Sequence, residues 1–388
     1  MQRPLRAVAL AHAFPRSRED PVGLFVAQLA LALREEGIET VVVAPSAPGL
    51  AARDEFMGIP VRRYRYAPRP LETLAYTGTM GEQVRGSLGA KLAFGGLLAQ
   101  GARAARAAAR EFGADLYHAH WWIPGGVAGA LAGRLDGRPL ITTMHGTDVR
   151  MLGSGLGRRL YRTVAARSRA LTAVSSWLAS AAMAVHPASV TVAPMPVRTD
   201  DFVPGHPDRQ PRLLFVGKLT PQKGLPYLLE ALARCRTAPR LEVVGAGRVD
   251  DRAIRERADA LGVGDRIRWM PILPQAELAK RYRDAYALVI PATDEGLGLT
   301  AVEAALSETP VIAFASGGLT DVVQQDRTGL LVPPGDVAAL AAAIDRLVSD
   351  PAHARRLGAG GRAFALERFS AAAVAARYAT LYRAAVPR

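Results

Sequence analysis

The stretch PRLLFVGKLTPQKGLPYLLEALARCRTAPRLEVVGAG, Pro211 to Gly247, decides the fold. It opens on an apolar run, LLFV, ended by Gly217. A polar loop follows, and then LPYLLEALARC carries its leucines at helical spacing. A second apolar run, LEVV, ends at Gly245. Short apolar runs bounded by glycine read as strands covered on both faces. A strand, a helix and a second strand in this order give parallel pairing, because a helical crossover returns the chain to the same end of the sheet. In open α/β sheets ligands bind beyond the carboxyl ends of the strands. Gly217, Lys218, Lys223, Gly224 and Gly245 all fall there.

The same alternation continues in both directions. Upstream it includes LRAVALAHA, the helical GLFVAQLALALREEG, ETVVVAPS, ADLYHAHW, the helical GGVAGALAGRL, RPLITTMHGTD, ALTAVSS and SVTVAP. Downstream come RAIRERADALG, DRIRWM, QAELAKRYRDA, ALVIPA, a helix after Glu295, TPVIAF, GLLVPPG and a long helix from Val337. Alternation on this scale predicts two doubly wound, Rossmann-like α/β domains with parallel sheets. Two such domains would face each other across a cleft, one substrate on each side. Between them PMPVRTDDFVPGHPDRQP holds five prolines, which suit a connection better than an element. The expected division is 1–197 for an acceptor-side domain, 198–211 for a linker and 212–368 for a nucleotide-binding domain. The tail 369–388 is expected as an amphipathic helix packed back on the first domain.

The chain has 388 residues, 49% of them hydrophobic, and a net charge of +14, which suits two cored domains and excludes disorder. The excess is uneven: residues 1–200 hold 24 Lys/Arg against 14 Asp/Glu, and residues 201–388 hold 25 against 21. No acidic residue occurs from Val149 to Thr199. The single cysteine, Cys235, excludes a disulfide within the chain, and zinc-ligand spacings are absent. Apolar runs are too short to span a bilayer. The N-terminal run reads as a first strand rather than a signal peptide, because no small-residue cleavage site follows it. A cytoplasmic protein is expected.

Several stretches carry chemistry. In FVGKLTPQKG, Lys218 and Lys223 can hold a diphosphate as point charges, with the helix start behind them adding N–H groups. Solvated loop lysines are the plain alternative. In VVGAGR, Val243 to Arg248, glycines permit close backbone approach, although an ordinary tight turn explains them as well. In PATDEGLGLTAVEAALSETPVIAF, Pro291 to Phe314, Gly296 and Gly298 precede Thr300-x-x-Glu303. That spacing is a capping box and starts a helix at Thr300. The competing reading turns the N–H groups of Gly298, Leu299 and Thr300 toward a phosphate. It places Glu303 on a ribose diol and Glu295 on sugar hydroxyls. In the first half, HAHWW contributes His118, His120, Trp121 and Trp122, and MHGTD contributes His145, Gly146 and Asp148. Gly23 precedes the first helix. Polyol hydrogen bonding suits these histidines better than metal, and Trp122 reads as core.

Taken in order, GKLTPQKG, VVGAG, EGLGLTAVEA with two glutamates eight positions apart, ETPVIAFASGGLTDVV and TGLLVPPGD resemble the retaining GT-B glycosyltransferases of family 4. The first half adds FPRSREDPVGLFVAQLALALREEGIETVVVAP, HAHWW and HGTD. The resemblance implies that the second domain binds a nucleotide-diphosphate sugar. Lys218 and Lys223 would neutralise the diphosphate, with Gly217, Gly245, Gly298, Leu299 and Thr300 lining it. Glu303 would hold the ribose and Glu295 the sugar. Gly23, His145 and Asp148 would close the site, with His145 near the sugar, and His120 and Trp121 would lie on the acceptor side. It further implies transfer with retention to an acceptor that is lipid-linked, a glycan or a small molecule, with no bound metal or other cofactor, the leaving diphosphate being stabilised by lysines and backbone donors. The family most often has Arg where this chain has Lys218, which loses the bidentate fork. It often has paired glycines where only Gly23 stands here.

Two other functions fit the same architecture: a sugar-nucleotide epimerase, and a non-catalytic nucleotide-sugar-binding protein. No nucleic-acid motif accompanies the positive charge. The basic stretch 150–169 has three readings. It rests on acidic lipid at the inner face of the membrane, borders a phosphorylated acceptor, or is a solvated Arg-rich face.

Overall fold

The computed structural model describes residues 3–205, 210–245 and 251–386. Ala246, Gly247 and Arg248 of the VVGAGR stretch lie outside the described residues, as do 206–209 of the proline-rich segment. The chain divides into two compact units, Met1–Pro196 with Ala371–Arg388, and Val197–Ser370.

The first unit contains β1 (Leu5–Leu10), α1 (Leu24–Glu35), β2 (Ile38–Pro45), β3 (Arg53–Phe56), β4 (Ile59–Tyr64), α2 (Met80–Gly86) and α3 (Leu88–Phe112). It continues with β5 (Leu116–His120), α4 (Val127–Asp136), β6 (Leu140–Met144), α5 (Gly155–Arg167), β7 (Ser168–Ala173), α6 (Ser176–Met183) and β8 (Val190–Val192). The sheet order is β3-β4-β2-β1-β5-β6-β7-β8. Neighbours run parallel except β3 and β4. That antiparallel pair turns through Met57 and Gly58, both at positive φ, as a tight two-residue hairpin requires. Strand order reverses between β1 and β5, whose ends carry His12 and His120. The C-terminal helix, Ala371–Ala385, packs on α1 and buries Val374, Ala375, Tyr378 and Tyr382, as its amphipathic pattern led us to expect. The β3–β4 hairpin and the 25-residue α3 were not among the sequence expectations.

The second unit contains β9 (Arg212–Val216), α7 (Leu225–Arg234), β10 (Arg240–Val244), α8 (Asp251–Ala260), β11 (Ile267–Met270), α9 (Gln275–Asp284) and β12 (Ala287–Ile290). Then come α10 (Leu299–Leu306), β13 (Val311–Phe314), α11 (Leu319–Val322), β14 (Gly329–Val332), α12 (Val337–Ser349) and α13 (Pro351–Phe369). Its sheet, β11-β10-β9-β12-β13-β14, is parallel throughout. The order reverses between β9 and β12. The leucine spacing in α7 places Leu225, Leu228, Leu229 and Leu232 in the core. Each stabilises the unit by about 1.5–3 kcal/mol relative to an exposed side chain. Val197 donates its N–H to the Phe369 carbonyl at 3.0 Å, and Phe202 is buried within this unit.

One local expectation fails. Helix α10 begins at Leu299, one residue before Thr300, and is capped by the backbone of Gly298 at φ 89° with no side-chain cap bond. The Thr300/Glu303 capping box is not formed, because Glu303 points to another partner, described below. No helix among the described residues is long and apolar enough to cross a membrane.

Candidate active site

In the second unit three loops meet beyond the carboxyl ends of β9, β12 and β13. The loop after β9 is tied to the loop after β12 by two hydrogen bonds. Thr293 N–H donates to the Gln222 carbonyl at 2.9 Å, and Gln222 Nε2 donates to the Asp294 carbonyl at 3.0 Å. Gly224 sits between them at φ 72°, and a Cβ there would run into the Pro291 carbonyl oxygen. Only glycine satisfies both the left-handed backbone and the close approach. The loop after β13 completes the frame. Gly318 N–H donates to the Glu295 carbonyl at 2.7 Å, and Asp294 N–H donates to Ser316 Oγ at 3.0 Å.

Lys223 lies in a short 3-10 turn, Pro221–Lys223. Its methylene stem crosses Gly217, and its Nζ donates to Glu295 Oε2 at 2.6 Å. Lys218 is exposed and has no ion-pair partner among the described residues. Gly245 lies close by, since Gly217 N–H donates to the Val244 carbonyl at 3.0 Å and a Cβ on Gly245 would strike the Gly217 carbonyl. The N–H groups of Gly298, Leu299 and Thr300 have no acceptor among the described residues. They form the positive end of α10, an arrangement that favours an anion.

Glu303 is one turn into α10. Tyr282 Oη donates to its Oε2 at 2.9 Å, and Gln275 Nε2 donates to its Oε1 at 3.3 Å, both from α9. Burial pushes the carboxyl up to about 7, against the pull of these two hydrogen bonds. The side chain is therefore a poised acceptor, where the capping box would have turned it toward the helix start.

The first unit gathers a second cluster at its own strand reversal. Gly23, at φ 72°, starts α1 where a Cβ would collide with the Ala13 carbonyl. His145 packs against Trp121 and Phe25, with ring centroids 4.7 and 4.9 Å away. Its Nε2 shares a hydrogen bond with His120 Nδ1 at 3.0 Å. Burial, reinforced by His120 and His12, holds His145 well below the usual imidazole range, so it is neutral at physiological pH. His118 fills the layer beneath. Its Nδ1 meets Tyr382 Oη at 2.6 Å and its Nε2 meets Thr143 Oγ1 at 2.7 Å.

Asp148 is buried, and burial pushes its carboxyl up to about 6. Its oxygens accept the N–H groups of Trp122 at 3.0 Å, Gly146 at 3.0 Å and His145 at 3.2 Å. Asp148 therefore shapes the His145 loop from behind. Trp122 is core, with Nε1 donating to the Asp148 carbonyl at 2.8 Å. His120 and Trp121 were expected to face an acceptor. Both are buried, at 1% and 7% exposure, and both touch His145. Among the described residues no group of three His, Cys, Asp or Glu side chains could hold a metal ion.

Sequence reasoning missed Tyr282, Gln275, Gln222, Ser316, Phe25 and His12. His12, whose ring lies 4.3 Å from Trp121, carried the same strand-end signal as the other histidines. The rest have no local mark, because they reach their partners from other parts of the chain: Tyr282 and Gln275 from α9, Gln222 and Ser316 from the loops after β9 and β13, and Phe25 from α1.

Residues 22–201 match the family described as Glycosyltransferase Family 4, and residues 196–364 match Glycosyl transferases group 1. The chain is 36% identical over 284 residues to the D-inositol 3-phosphate glycosyltransferase of Frankia alni, a match covering 64% of this chain and 70% of that protein. Sucrose-phosphate synthase from Thermosynechococcus elongatus has a similar structure, with a TM-score of 0.80, 25% identity and 98% of each chain covered. Anabaena HepE in complex with UDP and glucose shares the fold, with a TM-score of 0.76, 18% identity, and 98% of this chain and 99% of that one covered. The chain therefore belongs to glycosyltransferase family 4, the glycosyl transferases group 1, and is a GT-B glycosyltransferase that uses a nucleotide-sugar donor.

Proposed function

We propose that the protein transfers a sugar from a nucleoside-diphosphate sugar to an acceptor hydroxyl with retention of configuration and without a bound metal. The observation that carries this reading is that the hydrogen-bonded loops after β9 and β12 carry two lysines, Glu295 and the N–H groups that start α10, which have no acceptor among the described residues, with Glu303 one turn further on. Lys218, Lys223 and the N–H groups of Gly298, Leu299 and Thr300 hold the diphosphate. Gly217 and Gly245 let the backbone come close to it. Glu303 accepts the ribose hydroxyls and Glu295 those of the sugar.

The reaction breaks the bond between the anomeric carbon and the β-phosphate oxygen. It forms a bond from that carbon to the acceptor oxygen on the same face. The acceptor proton passes to the departing phosphate, so no covalent nucleophile is needed. Charge builds on the diphosphate in the transition state, where fixed cations and backbone donors act most strongly. In the first unit, His145 serves the sugar as a neutral hydrogen-bonding group. Gly23 shapes its loop, Asp148 and His120 position it, and Trp121 walls it.

The name of the Frankia relative supports a phosphorylated polyol as the acceptor class, which suits the basic first half of the chain. The basic face of α5 contacts acidic membrane lipid, a reading supported by its exposed Arg158, Arg159 and Arg162 beside exposed Leu156.

Thermal stability against UDP, ADP and GDP and their sugars, without metal, tests the donor site. A ligand at about 100 times its dissociation constant adds roughly 2.7 kcal/mol. One nucleotide should stabilise the wild type and not Glu303→Ala. No shift with any of them refutes the donor-site reading.

A further inference from the structure

Lys223 and Glu295 are assigned above to opposite ends of the donor, the diphosphate and the sugar. Yet in the structure each is the other's partner, at 2.6 Å, with side-chain exposures of 28% and 18%. Lys218 pairs with no carboxylate among the described residues. The two lysines are therefore electrostatically unequal: one offers its full charge, and the other is neutralised from behind.

The pairing is fixed by the frame around it. The Lys223 stem lies over Gly217, and the Glu295 carbonyl is held by Gly318 N–H. Gln222 and Asp294, their immediate neighbours, tie the two loops together. Neither backbone can withdraw without breaking several hydrogen bonds, so only the side-chain ends can adjust.

An ammonium has three donors and can bridge a carboxylate and a phosphate at once. A diphosphate that reaches Lys223 must nevertheless share it with Glu295 and bear that carboxylate's repulsion. A sugar on the diphosphate changes the balance, because its hydroxyls donate to the Glu295 oxygens and replace part of the Lys223 bond. Once the sugar has been transferred, those donors are gone. Glu295 then competes again for Lys223, against the phosphate that remains.

We propose that the Lys223–Glu295 ion pair is the device by which this site distinguishes a loaded donor from the spent nucleoside diphosphate. Glu295 raises affinity when a sugar is attached and lowers it when none is, which speeds release of the product. The inference rests on the donor-site reading above and adds to it a selectivity that the separate roles of the two residues do not contain.

Isothermal titration of wild type, Glu295→Gln, Lys223→Met and the double variant tests it, with circular dichroism confirming the fold. The probes are inorganic diphosphate, which is independent of the base, together with UDP, ADP and GDP and their glucose conjugates. Glu295→Gln should bind inorganic diphosphate about threefold to tenfold tighter than wild type, the range expected for removing one partly screened charge. For the base that binds, it should also shrink the advantage of the nucleotide sugar over the nucleotide. With Lys223 already replaced, the Glu295→Gln gain should shrink, which a purely structural role would not produce. Glu295→Ala provides the same reading if the glutamine variant is unstable. If Glu295→Gln binds inorganic diphosphate no tighter than wild type, the device does not exist. If wild type binds none of the probes, the donor-site reading itself falls, and the inference with it.

Discussion

Glu303 sits near its switching point. Burial lifts its carboxyl from an ordinary 4.5 to about 7, so near neutrality the protonated and charged forms coexist. A native value raised above the unfolded one means a stability contribution that is full below about 4.5 and is lost as pH rises through about 7. Donor binding runs the other way. With Glu303 on the donor ribose, as proposed above, ribose hydroxyls would donate to the charged carboxylate, so donor affinity should fall as pH drops from about 8 to about 6, and binding near neutrality should release a proton. Glu303→Gln should flatten that profile and weaken binding at about pH 8 by roughly tenfold or more, the scale of a lost hydrogen bond to a charged group. A donor dissociation constant that is independent of pH in wild type would sink this account. The residue itself was legible, since Glu303, Glu295, Lys218 and Lys223 lie beside glycines at strand ends. What tunes it was not. Tyr282 and Gln275 lie 21 and 28 positions upstream, and no local spacing links them to Glu303.

At the scale of elements, the C-terminal helix does more than cover α1. It brings Tyr382 Oη to His118 Nδ1, deep beneath His120, and it anchors Tyr378 Oη on the Ala193 carbonyl at 3.0 Å. Burial keeps His118 neutral, so the tyrosine satisfies a polar atom that has no access to water. Tyr382→Phe should therefore cost about 1–3 kcal/mol, the penalty of an unpaired buried group, and lower the melting temperature of the first unit. Unchanged calorimetry would show that His118 finds another partner. The amphipathic pattern of this helix was readable. The β3–β4 hairpin was not, because Arg53–Phe56 is a short, charged strand with a single buried residue at the sheet edge. The capping box failed for an equally physical reason. Glycine at positive φ already starts α10, and the Tyr282 hydroxyl draws the Glu303 carboxylate away from the helix end.

For the whole molecule, the net charge of +14 bears on its partners. In α5, Arg158, Arg159 and Arg162 are exposed, and Leu156 is 70% exposed, a mixture suited to an anionic lipid surface. Flotation should recover more protein with vesicles containing phosphatidylglycerol than with phosphatidylcholine alone, and Arg158→Glu with Arg159→Glu should remove the difference. Equal recovery on both vesicles would leave α5 as a solvated face. The alternation of apolar runs determined by itself that the chain forms two parallel α/β sheets, because strands buried on both faces and their crossover helices leave few other topologies. The glycines and charges at the strand ends marked the loops on which the proposed donor site stands. Only the tertiary structure decided the pairings: Lys223 with Glu295, Tyr282 with Glu303, His120 with His145, and Asp148 with three backbone amides. These contacts join elements far apart in the chain, or depend on which way one side chain turns. They arise from packing, which a linear pattern of hydrophobicity and charge does not encode.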